Sequence, residues 1–202
     1  MIKPTLVILF FLAVLQSMNA QLLERTQIDS MPVFRNLEKA LKNPDQVYRL
    51  DLSKQKIKEF PTEIFRLINL NELILDKNKI REIPDSISLL KNLQILSVER
   101  NEIEDFNTKI TTLKNLYNLN FADNLLEKIP DQIDDLKKLE YLILWDNPIN
   151  YYPLAMNEMT GLKYLDLLNN QMNATTQERL RTALPQCRII FSPPCNCMDG
   201  VE

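Results

Sequence analysis

The sequence predicts a solenoid that stacks one short unit six times, with each unit contributing a β-strand to a shared core. The chain matches itself at a spacing of 23 residues, in units starting at Pro44, Leu67, Leu90, Leu113, Leu136 and Met159. Each unit carries two apolar residues two positions apart, which places both side chains on one face of a strand. Because no unit can bury that face alone, the stack is expected to fold as a whole.

The fixed positions of the unit indicate what each part does. Position 7 is leucine in all six units, and position 9 is Leu, Val or Phe. Position 12 holds Gln55, Asn78, Asn101, Asn124, Asn147 and Asn170. An Asn at this position can bond backbone groups where the chain leaves the strand, so one per unit could form a ladder. Segments such as Ile83-Pro84 and Ile129-Pro130 follow, where proline fixes φ as the chain enters a helical or irregular outer turn.

This pattern, L-x-x-L-x-L-x-x-N followed by I-P-x-x-I, resembles the 23-residue form of the leucine-rich repeat superfamily over residues 44–181. The resemblance implies an α/β fold, with a curved parallel sheet on the concave face and short helices or turns on the convex face. It implies little about function, because the family carries many unrelated partners on one scaffold. Phe106-Asn107 replaces Ile-Pro in unit 3, so a local change in convex geometry is expected there.

The first twenty residues have the pattern of a secretory signal peptide. Lys3 precedes an apolar run over residues 5–15, and the small residue Ala20 closes the segment. The run is too short to span a bilayer comfortably, since a spanning helix needs roughly 20 apolar residues. An uncleaved amphipathic or anchoring helix is the alternative. We expect an exported protein, without stable membrane insertion once residues 1–20 are removed, in a secreted, periplasmic or cell-surface location.

Both ends of a solenoid need caps over the exposed core. Residues 21–43 are predicted to form an N-terminal cap helix, with Ser30 as its N-cap and apolar residues at helical spacing from Phe34 to Leu41. A partner-binding helix is the alternative. After the repeats, a helix over residues 176–184 is expected to end at Pro185. Residues 182–202 then hold a terminal strand at 188–191 and an exposed tail.

The cysteines of the chain all lie near its C-terminus, at Cys187, Cys195 and Cys197. In an exported protein the default expectation is a disulfide from Cys187 to either of the other two, leaving one thiol free or paired with another chain. A zinc site would lack an evident fourth ligand. A redox role is disfavoured because one residue, not two, separates the last two cysteines. Asn173-Ala174-Thr175 is a formal N-glycosylation sequon.

Composition excludes several functions. Histidine is absent, so Ser-His-Asp and Cys-His nucleophile systems and His-ligated metals cannot form. Gly161 and Gly200 are the only glycines, too few for a phosphate-binding loop. The net charge of −3 argues against nucleic acid, whose binding requires clustered Lys and Arg. We therefore expect no catalysis, no cofactor and no metal.

The strand positions that face away from the core are 6, 8, 10 and 11, with position 5 at the strand start. In units 5 and 6 these positions bring together Tyr141, Ile143, Trp145, Tyr164 and Leu168, here called the aromatic patch. Clustered aromatic residues with aspartates around them resemble a binding hot spot, so a protein or peptide partner is predicted there. Burial by the C-terminal cap or its tail, or scattered surface hydrophobes, are the alternatives. Homo-oligomerisation and carbohydrate binding are the other functions considered.

Overall fold

The computed structural model describes residues 22–195, so the predicted signal peptide at 1–20 and Cys197 lie outside the described residues. The described chain forms one parallel sheet of eight strands, hydrogen-bonded in the order of the sequence. The strands are β1 (Val33–Phe34), β2 (Arg49–Asp51), β3 (Glu72–Ile74), β4 (Ile95–Ser97), β5 (Asn118–Asn120), β6 (Tyr141–Ile143), β7 (Tyr164–Leu167) and β8 (Arg188–Phe191). The predicted leucine-rich repeat solenoid is therefore confirmed.

The outer side of units 1 to 5 carries a short 3₁₀ helix, whereas unit 6 carries an α-helix there. The 3₁₀ helices span Thr62–Arg66, Asp85–Leu89, Thr108–Thr112, Asp131–Asp135 and Leu154–Glu158, and a further one, Pro44–Gln46, precedes β2. Unit 3, which lacks the Ile-Pro pair, keeps the same turn: the side chain of Asn107 caps the helix by accepting from Lys109 N at 2.8 Å. Phe106 stacks on Phe121 with ring centroids 5.0 Å apart. The expected change in convex geometry is absent because Asn replaces the proline as a helix start.

The core lies between the sheet and the outer turns. Register between β2 and β7 is 23 residues, so each position-7 leucine faces its counterpart, as Leu96 faces Leu119. All six of these leucines are wholly buried. A Leu→Ala change at such a site costs about 2–5 kcal/mol.

The asparagines of position 12 form the predicted ladder. Asn124 is typical: its Nδ2 donates to Val98 O and Phe121 O, both at 3.0 Å, while its Oδ1 accepts from Ile103 N at 3.1 Å. Each Asn thus binds a strand carbonyl and an amide of the preceding unit as well as its own unit. Asn170 differs, because its buried Oδ1 has no hydrogen-bond partner among residues 22–195.

Position 11 adopts a left-handed backbone in every unit, although it is never glycine. The residues are Lys54, Lys77, Arg100, Asp123, Asp146 and Asn169, with φ between 54° and 60°. This conformation aims the amide at the next unit, as Arg100 N donates to Ala122 O at 2.9 Å. The strain is smallest for Asn and Asp and larger for Lys and Arg.

The prediction of an N-terminal cap helix over residues 21–43 is wrong in its first part. Val33–Phe34 form β1, which pairs with β2 and covers an edge that would otherwise be unpaired. The helix that follows, α2 (Leu37–Ala40), takes Asn36 as N-cap, accepting from Lys39 N at 2.8 Å. Ser30 caps no helix; its hydroxyl donates to Gln27 O at the end of a first helix, α1 (Arg25–Ile28).

At the other end, α3 (Ala174–Ala183) precedes β8, which pairs with β7 as the last strand of the sheet. The side chain of Asn173 accepts from Thr176 N at 2.9 Å and so caps α3. Leu180 and Leu184 are buried against the last unit. Within residues 22–195, no helix has the length and apolar character needed to cross a membrane.

The expected disulfide from Cys187 is absent. Cys187 carries a free thiol that is half-buried, and burial raises its pKa to about 11. Cys195 is disulfide-bonded, and because Cys187 is free, Cys187 is not the partner of Cys195 in that bond. The physical reason is placement: Cys187 packs against the core just before β8, whereas Cys195 follows it, with its N–H donating to Met172 O at 3.0 Å.

Candidate partner-binding surface

The five residues of the aromatic patch lie in two adjacent units: Tyr141, Ile143 and Tyr164 are in β6 and β7, and Trp145 and Leu168 follow those strands. Tyr141 and Tyr164 are register partners in β6 and β7. Trp145 and Leu168 both occupy position 10, in neighbouring units whose backbones are joined by a hydrogen bond from Asp146 N to Leu168 O at 2.8 Å. Neighbouring strands are about 4.8 Å apart, so these side chains stand in contiguous columns.

Exposure differs across the patch. Tyr141 is 37% exposed and Leu168 is 40% exposed, which are high values for large apolar side chains. Ile143, Trp145 and Tyr164 are partly buried. An apolar centre with open edges suits contact with another macromolecule.

Charged groups surround the patch. The guanidinium of Arg100 lies 5.9 Å from the Trp145 ring centroid and bonds Asp123 at 3.0 Å. On the other side, Arg188 lies 5.9 Å from the Tyr164 ring. Burial and a 2.9 Å hydrogen bond donated to Asp166 both raise the pKa of Tyr164, so its hydroxyl stays protonated at neutral pH. The patch is thus neutral at its centre and bounded by both signs of charge.

The C-terminal cap leaves part of the patch open. Strand β8 lies beside β7, and Ser192 Oγ accepts from Asn169 N at 2.7 Å. The chain then reaches Met172, a core residue, through the hydrogen bond of Cys195. The tail, described through residue 195, therefore runs toward the core residue Met172. It leaves Tyr141 and Leu168 exposed.

In the N-terminal half of the concave face, polar side chains form hydrogen bonds with one another. Arg49 donates to both carboxylate oxygens of Glu72, at 3.0 and 3.1 Å. Asp76 accepts from Ser97 Oγ at 2.6 Å, and burial, only partly offset by its hydrogen bonds, raises its pKa. Because these charges already have partners, this half offers fewer free groups to a ligand. Within residues 22–195 no group of three His, Cys, Asp or Glu could hold a metal ion.

Sequence reasoning missed a segment that covers part of this face. Residues 22–31 run across the N-terminal ends of the strands, and the Arg25 guanidinium lies 4.1 Å from the Tyr117 ring centroid. The Tyr117 ring, at position 5 of unit 4, is therefore partly covered by Arg25. No sequence signal marks this placement, because the segment is outside the repeats and its contacts follow no period.

Comparisons with known proteins agree on the fold. Residues 50–189 match the family described as a leucine-rich repeat region. No curated protein matches the chain by sequence. Among solved structures, a leucine-rich repeat protein of Leptospira interrogans is 24% identical with a TM-score of 0.56, the match covering 79% of this chain and 58% of that protein. Internalin C2 of Listeria monocytogenes is 22% identical, with a TM-score of 0.62 and coverages of 73% and 62%.

A plant receptor is also similar. The peptide hormone receptor RGFR1, in complex with RGF2, is 25% identical with a TM-score of 0.53, over 62% of this chain and 20% of the receptor. In each of these three structures the match spans less than two thirds of the known protein. The family match covers more than half of the chain and coincides with the observed repeats. The chain belongs to the leucine-rich repeat family.

Proposed function

We propose that this protein is an exported, non-enzymatic binding module that holds a protein or peptide on its concave face, with the aromatic patch as the main contact. The observation that carries the proposal is the contiguity of the patch on β6 and β7, with Tyr141 and Leu168 exposed in the folded chain. Aromatic side chains that lose water on contact supply most of the binding energy in interfaces of this kind.

Two similar structures support a protein or peptide as the ligand class. RGFR1 is in complex with RGF2. The ectodomain of the Arabidopsis thaliana receptor kinase GASSHO1/SCHENGEN3 is in complex with CASPARIAN STRIP INTEGRITY FACTOR 2. The apolar run before Ala20 supports export. The absence of histidine supports a role without catalysis.

A pull-down from the native extracellular or periplasmic fluid tests the proposal. The double variant Trp145→Ala, Tyr164→Ala is expected to lose the partners that wild type retains, with little change in thermal stability because both side chains are partly exposed. The matched control is Ile74→Ala, Ile95→Ala, which removes partly buried side chains from the same face in units 2 and 3. Equal retention by wild type and the Trp145 variant would refute the patch as the binding site.

A further inference from the structure

The N-terminal segment, residues 22–31, is docked on the finished solenoid and is not part of its core. Leu23 is 4% exposed and Ile28 is 1% exposed. Neither belongs to the continuous apolar core, which within the described chain begins at Ala40. Both side chains are therefore buried outside that core.

Side chains of the sheet bind the backbone of this segment. Leu23 N–H donates to Asn71 Oδ1 at 3.1 Å, and Gln94 Nε2 donates to Leu23 O at 2.6 Å. A 2.8 Å hydrogen bond from Gln94 Nε2 to Asn71 Oδ1 holds the two amides together. Both amides are buried and occupy position 5 of units 2 and 3. Paired donor and acceptor groups that bind N–H and C=O of one residue recognise peptide backbone whatever its side chain.

The next two units bind a cation. The Arg25 guanidinium stacks on Tyr117, and its Nη1 lies 2.7 Å from Glu140 Oε1. Lys163 approaches the other oxygen of Glu140 at 2.9 Å. Burial alone would raise the pKa of Glu140, but hydrogen bonds from Lys163 and Arg25 outweigh it and lower the pKa, so the carboxylate stays charged. A planar guanidinium fits a site made of one ring face and one carboxylate better than an ammonium does.

We propose that Asn71, Gln94, Tyr117 and Glu140, the position-5 row, form a peptide-binding site that residues 22–28 occupy in cis. The ligand class is a peptide in which an apolar residue is followed two positions later by an arginine that begins a helical turn, the chemistry of Leu23 and Arg25. A partner peptide of that class competes with the segment for the row. The row lies at the N-terminal ends of β3 to β6 and meets the aromatic patch at Glu140, which immediately precedes Tyr141. No residue belongs to both, so variants of one can be made without changing the other, and the two proposals can fail separately.

The segment can leave without opening the fold. The two amides that hold Leu23 are polar and can bond water when it departs, and the core remains closed because it contains no residue of the segment. A further hydrogen bond joins its C-terminal end to the sheet, where Asp29 O accepts from Arg49 Nη1 at 3.1 Å, shortly before β1. Occupation in cis lowers the apparent affinity for an added peptide in proportion to the fraction of unoccupied row.

Fluorescence anisotropy with a labelled peptide of residues 22–31, Leu-Leu-Glu-Arg-Thr-Gln-Ile-Asp-Ser-Met, tests this proposal. In the full chain, the double variant Leu23→Ala, Arg25→Ala frees the row, and the peptide is expected to bind at least about tenfold more tightly than to wild type. Adding Glu140→Gln to this variant should weaken binding about tenfold. Adding Arg81→Ala instead, which removes an exposed ion pair with Glu102, should leave binding unchanged.

Thermal unfolding separates a displaced segment from an unfolded chain. The double variant is expected to unfold cooperatively, since neither substituted residue is in the core. If it folds and the peptide binds no more tightly than to wild type, the row is not a peptide site and the segment is only a structural cover. Equal binding with and without Glu140→Gln would also overturn the proposal. Light scattering that finds a wild-type dimer, lost in the double variant, would overturn occupation in cis.

Discussion

Replacing one asparagine of the ladder by alanine should destabilise the protein by an amount that depends on which unit is changed. Asn124 is buried, and its Oδ1 is the acceptor that the structure gives to Ile103 N–H. In Asn124→Ala this amide has no acceptor among the described residues. The three carbonyls that Asn124 contacts are not left without a hydrogen bond, because each keeps a second donor. Phe121 O, for example, still accepts from Asn147 Nδ2 at 3.0 Å.

The expected loss of unfolding free energy follows from these hydrogen bonds. A buried amide without a partner costs about 1–3 kcal/mol, and each lost hydrogen bond to a carbonyl that retains another donor costs about 0.5–1 kcal/mol. Asn124→Ala should therefore lower the free energy of unfolding by about 4 kcal/mol, because one amide loses its acceptor and three carbonyls each lose one donor. Asn170→Ala is the matched control: Asn170 Oδ1 accepts nothing, and Leu144 O keeps its bond from Asn147. Its cost should be about 1–2 kcal/mol, because only its two donated bonds, to Leu144 O and Leu168 O, are lost.

Urea unfolding at 25 °C, followed by circular dichroism, measures both variants against wild type. The slope of unfolding free energy against urea should stay constant, since neither change alters the surface exposed on unfolding. Costs for the two variants that agree within about 0.5 kcal/mol would refute the reasoning, because the accepted bond from Ile103 would then contribute nothing.

Three other predictions follow from the described geometry. Lys77→Gly should stabilise the protein by about 1 kcal/mol and Asp146→Gly by less, because φ is 57° at both residues and Asp tolerates a positive φ better than Lys does. Equal changes in the free energy of unfolding in urea would contradict this difference. Burial raises the pKa of the Cys187 thiol to about 11, so at pH 8 it should react with a thiol reagent about 100-fold more slowly than a thiol of ordinary pKa. The reaction rate should increase as the pH rises through 10, and a rate independent of pH would contradict the raised pKa. Asn173→Ala should cost about 1 kcal/mol by removing the cap of α3, whereas Asn173→Ser should retain most of the stability, and equal melting temperatures would show that the cap is dispensable.

The repeats could be predicted from the sequence because their contacts recur. A leucine at position 7 faces the leucine 23 residues away, so one register fixes all the others. The hydrogen-bonding role of Asn124 follows from the same period, as does the contiguity of Tyr141 with Tyr164. Each of these inferences needed only the spacing of residue types.

The ends were harder to predict because nothing repeats there. Phe34 and Leu41 have helical spacing, but pairing with the free edge of β2 outweighed helix propensity at Val33–Phe34. The contact of Leu23 with Gln94 joins residues 71 positions apart and serves backbone groups, which no side-chain pattern encodes. Cys187 was expected to pair because the chain is predicted to be exported, yet the fold keeps this thiol half-buried and free.

The ladder also gives the solenoid a direction. Each asparagine from Asn78 to Asn147 closes the turn of the unit before it, as Asn147 does by accepting from Leu126 N and donating to Phe121 O. A unit is therefore completed only when its C-terminal neighbour is in place. The four junctions between units 1 and 5 offer the same set of groups, so an extra block of 23 residues inserted at one of them would meet matching partners on both sides. Lengthening at either end would not, and the number of repeats can change only from within.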